Sequence, residues 1–207
     1  MDGGLDEMAV EIKYPVLARA VEHTLGQALP ASVLANMEKL AFEKSFDKKD
    51  FFVEPGRACN YQYFVLEGAC YSYYVNEKGD KNALQFATES YWITDAASYF
   101  LNNPAVSTIE TLEPTRVLML SKQNFQKLVD SDPIWDRYFR VLMQKSLAHL
   151  HLRIAKTNSE EAKVRYLEFS EKYPHFIQRI PQYLIASYLG IRPQSLSRIR
   201  KELAGYG

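Results

Sequence analysis

The residues whose types and spacing best suit a chemical task lie near the C-terminus of this 207-residue chain. Gln194, Ser195, Ser197, Arg198, Arg200 and Lys201 follow Pro193 closely, with Arg192 just ahead of it. Proline belongs in the first turn of a helix, where its missing N–H is not needed. A helix beginning at Pro193 turns outward a cationic, hydrogen-bonding face with little apolar about it. In the major groove of a duplex, Arg donates two hydrogen bonds to guanine O6/N7 and Gln pairs in the same bidentate way with adenine, each worth about 1–3 kcal/mol of discrimination. The chemistry on offer is the reading of base edges, with Arg198 the residue assigned to guanine.

Such a helix must be held by a neighbour crossing at a steep angle. That arrangement needs a small residue where the backbones approach, which is Ala186, and a residue tolerant of positive φ in the connection, which is Gly190. Ile185, Leu189, Ile191, Leu196 and Ile199 supply the small core between the two helices. The stretch Ile180–Leu203 therefore predicts a helix-turn-helix.

Charge supports the division of labour. Formal net charge is zero, but residues 1–136 carry 12 Lys/Arg against 20 Asp/Glu, whereas residues 137–207 carry 13 against 5. A basic third joined to an acidic two-thirds is the footprint of a nucleic-acid-binding module attached to something else. At 47% hydrophobic and 24% charged residues the composition is that of a globular protein. The longest charge-free stretch, Ala96–Ile109, contains Asn102, Asn103 and Pro104, so no membrane span is expected. The opening Met1–Glu7 is acidic where a secretory signal is basic and then apolar, which predicts a cytoplasmic protein.

Two cysteines, Cys59 and Cys70, are too few for a disulfide framework, an all-cysteine iron–sulfur cluster or a structural zinc. None of the four histidines, His23, His149, His151 and His175, falls within residues 42–120, and His149 and His151 point in different directions on a helix. No metal site is expected. Neither a Gly-rich phosphate loop nor a nucleophile elbow is present.

Ahead of the reading segment, the apolar spacing predicts helices over Ala9–Ala28 and after Pro30. From Phe42 to Leu120 come short runs rich in Tyr, Phe, Val and Thr, punctuated at Glu54-Pro55-Gly56, Glu67-Gly68, Asn76–Asp80 and Asn102-Asn103-Pro104, the pattern of a barrel or jelly roll. Tyr61–Leu66 and Ala69–Val75 read as a hairpin about Glu67-Gly68, which sets Cys70 opposite Val65 and Cys59 opposite Asn76. Ala105–Thr111 and Thr115–Leu120 read as the closing strands, and Ser121–Asp130 as helix. Ser131-Asp132-Pro133 starts a long amphipathic helix, on which Trp135, Tyr138, Phe139, Leu142, Met143, Leu147, Leu150 and Ile154 recur at steps of three and four. Its stripe is too long for a small roll to cover, and a helix from a second copy would bury the rest. Thr157-Asn158-Ser159-Glu160-Glu161 holds two overlapping capping-box patterns, predicting a break and a new helix over Ser159–Tyr173.

This order of parts resembles the Crp/Fnr-type transcription regulators over roughly residues 30–204. The resemblance is carried by Glu54-Pro55-Gly56, by Tyr63-Phe64-Val65-Leu66-Glu67-Gly68 in the roll and by Gln194-Ser195-Leu196-Ser197-Arg198 in the reading helix. It implies an α+β protein: helices and a β-roll (double-stranded jelly roll) sensor domain over 1–130, a long dimerisation helix over 131–157, and a C-terminal winged helix-turn-helix over 158–207. It also implies a homodimer, a near-palindromic double-stranded DNA operator, contact with RNA polymerase and an unidentified small-molecule effector. Where the family's reading helix typically has Glu, this chain has Gln194, with Ser197 and Arg198 matching; Pro193 stands where a basic residue is frequent.

In family members that bind cyclic AMP, a phosphate cassette in the roll presents a Gly-Glu pair and an Arg beside Ser or Thr. The corresponding stretch, Tyr91–Thr108, has no Arg or Lys, so a phosphodiester would be buried without a counter-charge. Cyclic AMP, an iron–sulfur cluster and haem are not expected, and no cofactor is assigned. Trp92, Thr94, Asp95, Tyr99 and Ser107 are the residues assigned to any effector pocket, although core packing is the better account of Trp92 and Tyr99. Two other readings are a jelly-roll enzyme, which lacks histidine ligands in the roll, and a sensory module whose helix-turn-helix binds protein instead of DNA.

Overall fold

The computed structural model describes residues 12–205. Eight strands form where Tyr, Phe, Val and Thr concentrate: β1 (Phe42–Phe46), β2 (Phe51–Val53), β3 (Tyr61–Glu67), β4 (Cys70–Val75), β5 (Lys81–Ala87), β6 (Trp92–Ile93), β7 (Thr108–Thr111) and β8 (Thr115–Ser121). They make two four-stranded antiparallel sheets, ordered β1-β8-β3-β6 and β2-β7-β4-β5. Val53, Tyr63, Val65, Cys70, Ile109, Val117 and Met119 fill the space between them.

A sheet with one wet face alternates apolar and polar residues. β3 is instead buried continuously from Gln62 to Leu66, and β8 from Val117 to Leu120. The cause is a second layer. Phe64, Leu66, Leu118 and Leu120 pack against helices α1 (Pro15–Leu25), α2 (Ala31–Leu40), α4 (Lys122–Ser131) and the start of α5 (Pro133–Ser159), with Trp135 and Tyr138 almost wholly buried there. The other sheet's outer face, with Tyr71, Tyr73, Ala83 and Phe86, packs against the C-terminal helices α6 (Ala162–Lys172), α7 (Pro174–Arg179), α8 (Gln182–Tyr188) and α9 (Pro193–Ala204). The remaining helix, α3 (Ala96–Leu101), sits within the roll between β6 and β7.

Local signals set several of these boundaries as expected. The Ser121 hydroxyl accepts a hydrogen bond from the Asn124 N–H and caps α4. Asp132 accepts from the Ile134 N–H at 2.9 Å with Pro133 in the first turn, and α5 then runs for 27 residues. α1 stops at Gly26 in the left-handed conformation, short of Ala28, and residues 9–11 of that expected helix lie outside the described residues, as does the acidic opening Met1–Glu7.

Three expectations are corrected. The hairpin about Glu67-Gly68 does not form: β3 and β4 lie in different sheets, and Cys70 sits opposite Ala87 and Thr111 instead of Val65. Gly68, at φ +100°, turns the chain from one sheet to the other, beside the Glu113-Pro114 corner where β7 crosses to β8. The crossings touch so closely that a Cβ on Gly68 would lie 2.5 Å from the Pro114 carbonyl oxygen. Cys59 and Cys70 are both buried free thiols, so the absence of a bridge stands on different geometry. The capping boxes are not made: Thr157 and Ser159 donate back to the Arg153 and Ala155 carbonyls within the last turn of α5, and α6 begins at Ala162. The described residues after Ser159 contain helices and no strand, so the wing implied by the resemblance is not among them.

Candidate nucleic-acid interface

The corner between α8 and α9 is built as its sequence requires. Gly190 has φ +64°, its N–H donates to the Ser187 carbonyl at 3.1 Å, and the Ile191 N–H donates to the Ala186 carbonyl at 2.8 Å. This pair of bonds is a Schellman closure, which satisfies the last carbonyls of α8 and redirects the chain. Leu184, Ile185, Ala186, Leu189, Ile191, Leu196 and Ile199 are all buried, so the two helices are locked to each other.

That core fixes which way α9 faces. Gln194, Ser197, Arg198 and Lys201 are exposed and follow one another at i, i+3, i+4 and i+7, one stripe opposite Leu196 and Ile199. Arg198 has 77% of its side chain exposed, and its nearest charge is Glu202 at 4.0 Å, which Lys163 of α6 also approaches at 3.6 Å. Ser195 is half-buried on one flank. Arg200 lies on the other, beside Tyr183 in a groove of about 470 Å³ between α8 and α9 that Ser197 and Lys201 also border. Arg192 is exposed immediately ahead of the helix, where no side chain caps the free N–H groups. Six of the seven assigned residues thus come together on α9, four of them on its outward stripe, with Arg192 at its N-cap.

The unit is also docked on the roll. Ser187 of α8 accepts from the Ala83 N–H at 3.0 Å and donates to the Lys81 carbonyl at 3.1 Å, taking up backbone groups on the free edge of β5. Arg179 donates two bonds to Glu89, at 2.7 and 3.1 Å, and a further one to Glu113. Glu89 in turn accepts from the Gly68 N–H at 2.8 Å, so the clamp grips the corner where the sheets exchange strands. Burial pushes the Glu89 carboxyl up, but Arg179 and the backbone N–H donors outweigh it and hold it below the ordinary carboxylate range. Phe86 of β5 packs on Phe176 and Tyr188 at ring-centroid distances of 5.8 and 5.0 Å.

Residues 43–132 match the family described as Cyclic nucleotide-binding domain. The structure is similar to that of FixK2 from Bradyrhizobium japonicum, with a TM-score of 0.68 at 19% identity over 81% of this chain and 86% of that one. The global regulator CLP of Xanthomonas campestris, described as responsive to c-di-GMP, gives 0.66 at 13% identity, covering 86% and 93%. The Thermus thermophilus catabolite activator protein gives 0.57 at 16%, covering 91% and 88%. No curated protein matches the chain by sequence. The chain has the Crp/Fnr-type regulator fold. The resemblance read from Tyr63–Gly68 and Gln194–Arg198 therefore holds at the level of the fold.

Within this Crp/Fnr-type roll, the residues assigned to an effector pocket do not face one space. Trp92 belongs to the helix-covered side, donating from Nε1 to the Tyr138 hydroxyl at 2.9 Å and packing on Phe64 and Phe139. Tyr99 belongs to the core between the sheets. Thr94 donates to the Tyr61 carbonyl and lies 3.3 Å from the Cys59 sulfur. Asp95 and Ser107 do come together: the Asp95 carboxylate accepts from the N–H groups of Ser98, Val106 and Ser107 at 2.9–3.1 Å and from the Ser107 hydroxyl at 2.6 Å. Burial raises its pKa, but those four donors outweigh burial and hold the carboxyl below the ordinary range. The chain's own carboxylate thus takes up every donor at this corner that these bonds involve. Among the described residues no cluster of three or more His, Cys, Asp or Glu is placed to hold a metal ion, and no helix is long and apolar enough to cross a membrane.

Sequence reading did not reach Ser187 and Arg179. Arg179 is one cation after a short apolar run, and its partners lie 90 and 66 residues away, so nothing local marks the clamp.

Proposed function

We propose that this chain is a sequence-specific, DNA-binding transcription regulator acting as a homodimer. One observation carries the reading: Gln194, Ser197, Arg198 and Lys201 form an exposed stripe on a helix whose opposite face is locked into a helix-turn-helix core. In that setting the exposed side chains reach base edges, Arg198 reads guanine and Gln194 adenine, while Arg192, Ser195, Arg200 and Lys201 contact the backbone or flanking bases. The +8 balance of residues 137–207 supplies the attraction to phosphate.

Dimerisation supplies the spacing. Met143, Leu147, Leu150 and Ile154 form a stripe on α5 that is 40–55% exposed, an apolar seam at steps of four, three and four. Pairing it with a second copy would bury the seam and set two reading helices about one turn of DNA apart, roughly 34–36 Å, on a near-palindromic operator. Switching would work through two dimer arrangements of which one fits that spacing, an effector acting by differential affinity for them. No cofactor enters this reading.

Selection of bound duplexes from a random library at near-physiological salt tests it. The expected result is a near-palindromic consensus whose recognition fails with Arg198→Ala while the circular dichroism spectrum is unchanged. Sequence-blind or salt-insensitive binding, or unaltered discrimination in that variant, would overturn it.

A further inference from the structure

A cavity of about 190 Å³ lies where α5, α6 and the end of α8 meet, outside both the roll and the reading face. Its apolar and aromatic walls are Leu152 from α5, Phe169 in the last turn of α6, Tyr173 just after α6, and Tyr188 at the end of α8. Phe169 stands 5.3 Å from Tyr173 and 5.7 Å from Tyr188, ring to ring.

The cavity's charged groups are unevenly spent. Lys156 is neutralised by Glu168 and by Glu160 at 3.6 Å. Arg165 is occupied with backbone, donating to the carbonyls of Glu160, Leu189 and Gly190. Two cations remain without a carboxylate partner among the described residues. Arg153 lies over the Tyr188 ring at 4.4 Å, with a single 3.4 Å bond to the Tyr188 carbonyl. Lys172 stands 3.4 Å from His149 Nε2. Burial first, and then the neighbouring Lys172 and Lys145, lower the pKa of His149 from its ordinary value.

An aromatic-walled cavity with two unneutralised cations at its rim is complementary to one kind of molecule. We infer that this junction binds a small organic anion with a flat apolar body, its carboxylate received by Arg153 and Lys172 and its ring lying against Leu152, Phe169 and Tyr173. The size limits it to a single ring, since cavities that hold larger ligands run to about 300–1,000 Å³. Arg153 is suited to the task because its planar guanidinium is already held by stacking and presents its remaining N–H donors in a fixed fork. The site is reachable in a dimer, because Leu152 and Lys156 lie on the far side of α5 from the Met143–Ile154 seam and Arg153 on the flank between them. Such a ligand would tie the long helix to the reading unit, and only that consequence rests on the proposed DNA reading.

Fluorine NMR of 4-fluorobenzoate titrated with the full chain, without DNA, tests the site separately from that reading. The expected result is saturable broadening, weakened about tenfold or more in Lys172→Gln and in Arg153→Gln, and kept in Lys78→Gln, a control on the remote β4–β5 turn. Lys172 is exposed, so its variant should keep the wild-type circular dichroism spectrum. No saturable binding, unaltered binding in Lys172→Gln, or equal binding of the neutral 4-fluorobenzyl alcohol would overturn the inference.

Discussion

Individual residues here act through what they leave free or fill. Arg198 is free: with most of its side chain in solvent and Glu202 no nearer than 4.0 Å, its truncation removes a reading group without disturbing a contact network. Arg198→Ala should therefore cost about 1–3 kcal/mol of discrimination at one base position, read by competition between consensus and substituted duplexes, with the melting temperature unchanged. Asp95 is the opposite case, because its carboxylate satisfies four donors and caps α3. Asp95→Ala strands those donors and should lower stability by roughly 2–4 kcal/mol in urea unfolding. The pH dependence follows from the sign of the shift. The folded pKa lies below the unfolded value of about 3.9, so the Asp95 contribution is complete above that value and is lost as pH falls through the folded one. In Asp95→Asn the loss of stability below about pH 4 should be shallower than in the wild type, as urea midpoints across that range would show.

Elements owe their places to contacts made at their ends and on their second faces. Gly68 permits β3 and β4 to part into different sheets, at a φ that side chains rarely adopt and against backbone that cannot retreat. Gly68→Ala should cost about 1–3 kcal/mol from the conformation alone, with the Pro114 overlap added, measured by thermal unfolding. Gly190 meets only the Thr157 methyl at 2.8 Å, a contact that side chain can relieve by rotating, so its requirement is mainly conformational. On α5, Trp135, Tyr138 and Phe139 are spent inside the molecule while Leu147 and Leu150 are not. Leu147→Glu with Leu150→Glu should shift the protein to monomer in analytical ultracentrifugation and weaken operator binding, leaving the roll folded. A monomeric wild type would remove the basis for the spacing argument.

Across the whole molecule, the roll is packed on both sides, by its preceding and following helices on one sheet and by the C-terminal helices α6–α9 on the other. The second contact joins Phe86, Phe176 and Tyr188, the Ser187 bonds to the β5 edge, and the Arg179 clamp on Glu89 and Glu113. Breaking the clamp with Arg179→Ala leaves Glu89 and Glu113 without their shared cation and loosens the dock. Amide exchange at Ala83, whose N–H donates to Ser187, should then quicken while exchange inside β3 and β8 stays slow. Equal protection at Ala83 in the variant would mean that the aromatic contacts alone hold the two parts together.

What the sequence determined by itself was whatever rests on neighbours along the chain. Pro193 opening α9, the Ala186–Gly190 corner, the Asp132-Pro133 start and the long stripe of α5 are short-range signals, and each was legible along the chain. The hairpin expectation failed because Glu67-Gly68 has the local chemistry of a tight turn, and whether flanking strands pair or part is settled by partners far along the chain, Arg116 to Leu120 in β8 for one and Thr108 to Thr111 in β7 for the other. The capping boxes failed for a related reason: Thr157 and Ser159 found carbonyls one turn back in a helix that continued past them. Tertiary structure alone decided that β3 and β8 are buried on both faces, that Asp95 fills its own ring of donors, and that Arg179 clamps the reading unit to the roll. The helix cover and the clamp join residues far apart in the chain, the Asp95 ring closes a loop of 12 residues largely through backbone N–H groups, and no periodicity along the chain encodes any of them.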